Sequence, residues 1–80
     1  MSSRNRSRFI SPGMRVLRFV RNFLQEHGYS PTVREIAKGC GWTSTNTPAY
    51  HLRNLEADGF LKMEPGSARS IVLTEKGRAG

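Results

Sequence analysis

The chain has 80 residues with a single cysteine and two well-separated histidines, which allows one small domain and excludes a disulfide framework or a metal site of spaced ligands. No apolar run approaches the roughly 18 residues of a membrane span, and no apolar segment follows the first arginines as export would require, so a cytoplasmic, nucleoid-associated protein with no membrane partner is expected. The net charge of +7 is head-loaded, because Arg4, Arg6, Arg8, Arg15, Arg18 and Arg21 all precede the first acid, Glu26, and such an imbalance implies an anionic partner such as nucleic acid.

Residues 1–10, "MSSRNRSRFI", are polar, arginine-rich and unpatterned, and read as a flexible basic arm. Arg4, Arg6 and Arg8 are placed there to track phosphates or enter a minor groove. Ser11-Pro12 then supplies a helix start, a hydroxyl N-cap followed by proline in the first turn. Val16, Leu17, Val20, Phe23 and Leu24 recur at helical spacing, with Arg15, Arg18 and Arg21 on a solvated opposite arc, up to a stop near Gly28.

Proline at position 31 keeps Ser30 extended, and "TVRE" from Thr32 to Glu35 has the form of a capping box. Val33, Ile36, Ala37 and Cys40 mark one face of a second helix of about two turns, with Cys40 read as a buried small apolar residue. Gly39 and Gly41 end it, since one of them can take left-handed backbone angles. In "KGCGWTSTN" this glycine-containing stop leads straight into hydroxyl side chains that can cap another helix, the layout of a helix-turn-helix. Trp42 is expected to pack at the corner. Thr43, Ser44, Thr45, Asn46 and Thr47 lie at a helix N-terminus, where free N–H groups favour phosphate.

The third helix is predicted over 45–58, stopping at Gly59, with Pro48, Leu52 and Leu55 inward and Asn46, Thr47, Tyr50, Arg53 and Asn54 outward. "FLKME", a turn at 65–68 and "RSIVLTE" read as a hairpin with Arg69 on its wing, able to reach backbone or minor groove, before a tail expected to fray over 76–80. The fold class is therefore mainly α with a small β-hairpin: a winged helix-turn-helix of three helices and a two-stranded antiparallel wing, occupying residues 11–75.

Amide, hydroxyl, phenol and guanidinium groups on the outward face of the third helix are those that read base edges and phosphates. An ordinary solvated face would show lysine and glutamate. His51 reads as a packed histidine, since no acid or nucleophile accompanies it in a catalytic pattern, and nothing marks a cofactor or small-molecule substrate. The chain is read as a non-enzymatic transcription regulator that binds double-stranded DNA in a sequence-specific manner. The alternative is a winged-helix protein-interaction module of a larger assembly, disfavoured because only Tyr50 offers an aromatic anchor on that face.

"GYSPTVREIAKGCGWTSTNTPAYHLRNLEADGFL" followed by "ARSIVL" resembles the N-terminal DNA-binding domain of the LexA family of bacterial SOS-response repressors. The likeness runs from Ser11 to about Leu73. It implies that the third helix enters the major groove of an inverted-repeat operator, with Ser44, Asn46, Thr47, Ala49 and Tyr50 at the positions used for base contact. Some members carry acidic residues where this chain has Ala49 and Tyr50, so their operator is not expected to carry over unchanged. The family's self-cleaving, dimerising serine-lysine domain is not found here. The chain is thus expected to be a fragment or a stand-alone regulator, monomeric or weakly associated until DNA brings two copies together.

Overall fold

The computed structural model describes residues 11–66 and 69–79. The basic arm expected over 1–10, with Arg4, Arg6 and Arg8, lies outside the described residues. Three helices, a two-stranded antiparallel hairpin and a short closing helix follow one another in the chain.

Helix α1, Pro12–His27, starts as its sequence dictates: Ser11 Oγ accepts from the Met14 N–H at 3.2 Å and Pro12 occupies the first turn. It buries Val16, Leu17 and Val20 completely, while Phe19 and Leu24 pack at the margin. Helix α2, Val33–Cys40, opens on a complete capping box. The Glu35 N–H donates to Thr32 Oγ1 at 3.1 Å and the Thr32 N–H donates to Glu35 Oε1 at 2.8 Å. Helix α3, Asn46–Ala57, falls within one residue of its expected bounds at each end and turns Pro48, Leu52 and Leu55 inward. Leu52 and Leu55 meet Leu17 and Ile36 in one core, which the hairpin of β1, Leu61–Met63, and β2, Ile71–Leu73, closes with Leu61, Ile71 and Leu73. The register pairs Leu61 with Leu73, Lys62 with Val72 and Met63 with Ile71, so alternate residues point into the core as a strand's period of two requires.

Three expectations are corrected. Residues 76–79, expected to fray, instead belong to helix α4, Glu75–Ala79, which packs back beside the hairpin. Thr74 caps it, accepting from the Gly77 N–H at 3.1 Å and donating to the Gly59 carbonyl at 2.6 Å. Gly77 reads locally as a helix breaker, yet it is buried, and a Cβ there would overlap the carbonyl oxygen of Phe60, so only glycine permits this docking. Second, Arg15 and Arg21 are not merely solvated: Arg15 donates to the Cys40 carbonyl at 3.0 Å, and Arg21 reaches the Gly77 and Arg78 carbonyls at 3.5 Å. Third, Cys40 is half-buried at the core margin, and burial raises its thiol pKa above the ordinary value. At the start of α3 the hydroxyl run behaves as expected, with Ser44 Oγ accepting from the Asn46 N–H at 3.0 Å, while Thr45 makes no side-chain cap bond.

Gly77→Ala is expected to lower stability by about 1–3 kcal/mol through overpacking against backbone that cannot yield. Urea denaturation followed by circular dichroism checks this: the midpoint should fall while the α1 to α3 helical signal persists in the folded baseline.

Candidate nucleic-acid interface

The placement of α3 is set by how α2 ends. Gly41 takes φ 82°, which an L side chain resists, and this lets the chain reverse. The Trp42 N–H then reaches back to the Ala37 carbonyl at 2.8 Å and the Gly41 N–H to Lys38 at 3.3 Å, the paired bonds of a Schellman motif. Gly39 has a different use: a Cβ on it would strike the ring of Phe19, so its bareness lets α2 lie against α1. Trp42 follows at the corner, where its indole is stacked with His51 of α3 at 5.7 Å between centroids and lies under the guanidinium of Arg15 at 5.6 Å. The corner is thereby held from α1 and from α3 at once. His51 is the packed histidine its position suggested.

With Leu52 and Leu55 buried, helical periodicity leaves Asn46, Tyr50, Arg53 and Asn54 exposed along one side of α3. Tyr50 is 56% exposed, its ring edge-on to His51 at 5.3 Å. Thr43, Ser44 and Thr45 are exposed just before the helix, and Thr47 and Ala49 are half-buried on its flanks. No acidic side chain occupies the first turn, so the positive end of the helix dipole is left unneutralised by the chain itself. Among the described residues, none of Asn46, Tyr50, Arg53 and Asn54 directs its side chain into an intramolecular hydrogen bond or ion pair. Arg34 and Lys38, which sequence reading passed over, are exposed on α2 and line a cleft shared with Thr43, Ser44 and Thr45. Their four-residue spacing on a helix adjoining the turn was the available signal.

Arg69, expected on the wing within reach of backbone or minor groove, is engaged within the chain. Its guanidinium makes a bidentate pair with Glu35, at 2.9 and 3.1 Å, donates to the Ser30 carbonyl at 2.9 Å and lies 4.6 Å from the centroid of the Tyr29 ring. The wing is thus bolted to the N-terminus of α2. The Arg69 hydrogen bonds, then the Thr32 N–H, pull the Glu35 carboxyl down to about 2. Among the described residues no group of histidine, cysteine, aspartate and glutamate could hold a metal ion, and no helix is long and apolar enough to cross a membrane.

A helix-turn-helix whose second helix is polar on its free side, flanked by an antiparallel wing, defines a winged-helix DNA-binding domain. Residues 13–70 match the family model of the LexA DNA binding domain. The chain is 41% identical over 59 residues to the LexA repressor of Carboxydothermus hydrogenoformans, an alignment covering 74% of this chain and 29% of that protein. It is 45% identical over 62 residues to the LexA repressor of Oenococcus oeni, covering 78% and 29%, and 38% identical over 65 residues to that of Anaeromyxobacter dehalogenans strain 2CP-1, covering 81% and 28%. The chain belongs to the LexA DNA-binding domain family. It spans under a third of the length of the curated relatives it matches, and the match is to the DNA-binding domain rather than to the peptidase domain that gives LexA its self-cleaving activity.

The Glu35 to Arg69 pair generates a pH prediction. Because the folded carboxyl titrates near 2 against an ordinary 4.5, the unfolded chain binds more protons between those values, and the pair's stabilisation is full above pH 4.5 and lost as pH falls through 2. Arg69→Met should therefore melt below the wild type at pH 7, and the gap between the two should close between pH 4.5 and 2.

Proposed function

We propose that this chain represses transcription by binding double-stranded DNA in a sequence-specific manner, inserting α3 into the major groove of an inverted-repeat operator in the bacterial cytoplasm. The observation that carries the reading is the chemistry of the free side of α3. Amide, phenol and guanidinium groups stand exposed at Asn46, Tyr50, Arg53 and Asn54, without intramolecular side-chain hydrogen bonds or ion pairs among the described residues, on a helix whose other side is locked in the core. In this reading Asn46 pairs bidentately with an adenine edge, Tyr50 donates or accepts at a neighbouring base, and Ala49 offers a methyl contact of the kind that meets thymine. Arg53 and Asn54 hold the flanking strand. Ser44, Thr45 and Thr47 address the phosphates at the helix start. Arg69 acts through the wing's position rather than by touching DNA. The names of the relatives support the role of repressor.

Duplex titrations across salt concentrations test the electrostatic part of this reading, since every neutralised phosphate adds about −0.9 to the log–log slope. A steep slope is expected, and removal of residues 1–8, with Arg4, Arg6 and Arg8, should flatten it while the preferred sequence is kept. A slope near zero for the wild type would count against DNA binding of this kind.

Asn46→Ala and Tyr50→Ala should each relax preference at one base position, by about 1–3 kcal/mol. Arg53→Ala should weaken all sequences alike. Site selection from random duplexes with each variant separates the two behaviours, and uniform weakening by all three would remove Asn46 and Tyr50 from base reading.

Two copies on one duplex gain effective concentration from their shared support. Half-sites set at the natural spacing should bind cooperatively, and inserting five base pairs, which turns one copy to the far side, should abolish cooperativity and leave single-site affinity intact. Gel-shift titration with both duplexes measures this directly.

A further inference from the structure

We propose that the groove between the second half of α1 and the outer edge of β2 accepts an extended acidic peptide segment of a partner protein as an added strand. Among the described residues no part of α3 lines this groove, so its occupation is independent of the DNA-binding reading.

The phase of the hairpin identifies the edge. The Glu64 N–H donates to the Ser70 carbonyl at 3.0 Å and the Thr74 N–H to the Phe60 carbonyl at 3.1 Å, and in an antiparallel ladder such bonded pairs recur at every second residue. Lys62 and Val72, paired midway between them, therefore exchange the ladder bonds, and the N–H and C=O groups of Ile71 and Leu73 point away from β1. Among these outward groups only the Leu73 carbonyl has a hydrogen-bond partner in the described residues, Arg78 Nη1 at 3.3 Å. Ile71 and Leu73 are nevertheless only 5% and 7% exposed. Backbone polar groups on residues so deeply placed are nearly always paired, and a strand laid beside β2 pairs them.

The space beside the edge fits such a strand. A groove of about 440 Å³ is lined by Leu24 of α1 and by Ile71, Val72 and Leu73, with Arg21 and Arg78 as its charged members. A helix standing beside an open strand edge lets main-chain pairing supply affinity, while alternate side chains of the incoming strand meet the apolar wall.

Charge selects the occupant. Among the described residues no acidic side chain lines the groove. A second copy paired edge to edge brings the same two arginines to the same place, and residues 1–10 bring Arg4, Arg6 and Arg8 with no acid. An incoming strand with carboxylates is complementary where both of these are repelled. Arg21 reaches the Gly77 and Arg78 carbonyls at 3.5 Å, the limit of a hydrogen bond, and a carboxylate is a stronger acceptor than either.

The probe is the capped pentapeptide Glu-Val-Leu-Val-Glu, titrated to about 1 mM into the isotope-labelled chain and read by amide hydrogen exchange. Exchange at Ile71 and Leu73 should slow, by about tenfold once peptide exceeds its Kd tenfold, with no matching change at Val72, whose N–H is already bonded to Lys62. No slowing at either amide would overturn the site. The same peptide N-methylated at its three apolar residues cannot form the ladder and should not bind; equal binding by it would overturn strand addition, whatever the variants do. The counterpart Lys-Val-Leu-Val-Lys should bind about tenfold more weakly, and equal affinity would overturn the acidic occupant. Arg21→Gln should narrow that preference about threefold, a ratio that a general loss of folding does not move. Protection of Ile71 and Leu73 that rises with protein concentration in the absence of peptide would overturn the peptide in favour of a second copy.

Discussion

The backbone reversal at Gly41 is the constraint on which the rest of the interface depends. A helix as short as α2 has little propensity to persist alone, and its direction is defined by its ends. At the first end the capping box supplies two reciprocal bonds, and at the second the Schellman pair from Gly41 and Trp42 closes the last carbonyls. With both ends specified, the exit direction of the chain is specified, and Trp42 transfers that direction to α3 through His51 and to α1 through Arg15. The outward aim of Asn46 and Tyr50 is therefore inherited from a turn that contains neither of them. A second Schellman pair, from Gly59 and Phe60 to Glu56 and Leu55, ends α3 and launches the wing in the same way.

Net charge describes this molecule poorly until the cations are sorted by what they touch. An excess of arginine suggests an electrostatic surface, yet several guanidinium groups act as cross-braces that satisfy carbonyls at helix ends and in the hairpin. Arg78 reaches the Leu73 carbonyl, and Lys76 reaches that of Asp58 while lying over the Phe60 ring. Such groups bury their stems and keep a polar head at the surface, so their loss is expected to be felt in packing as well as in charge.

Features written in neighbouring residues were legible in the sequence. Ser11-Pro12, the Thr32 to Glu35 box and the 3.6-residue apolar rhythm gave three helices whose observed limits differ by little, because local hydrogen-bond chemistry decides them. The hairpin and the identity of the inward residues Pro48, Leu52 and Leu55 followed from the same logic. What could not be read locally was anything decided by a distant partner. The glycine at position 77 argues against a helix by propensity, and only the approach of the Phe60 carbonyl reveals why glycine suits it. The partners of Arg69 could not be read locally, because its acceptors stand 34 and 39 positions away.

The pairing of Glu35 with Arg69 also bears on how such a domain can change over generations. One carboxylate serves a helix cap and a cross-chain guanidinium together, so a substitution at position 35 removes both, whereas one at position 69 frees the wing from α2 and leaves the capping box in place. Drift at these sites is consequently lopsided. Position 35 is the more constrained of the two, since Arg69 without the glutamate still meets the Ser30 carbonyl and the Tyr29 ring, whereas the cap of α2 has no second carboxylate to replace it.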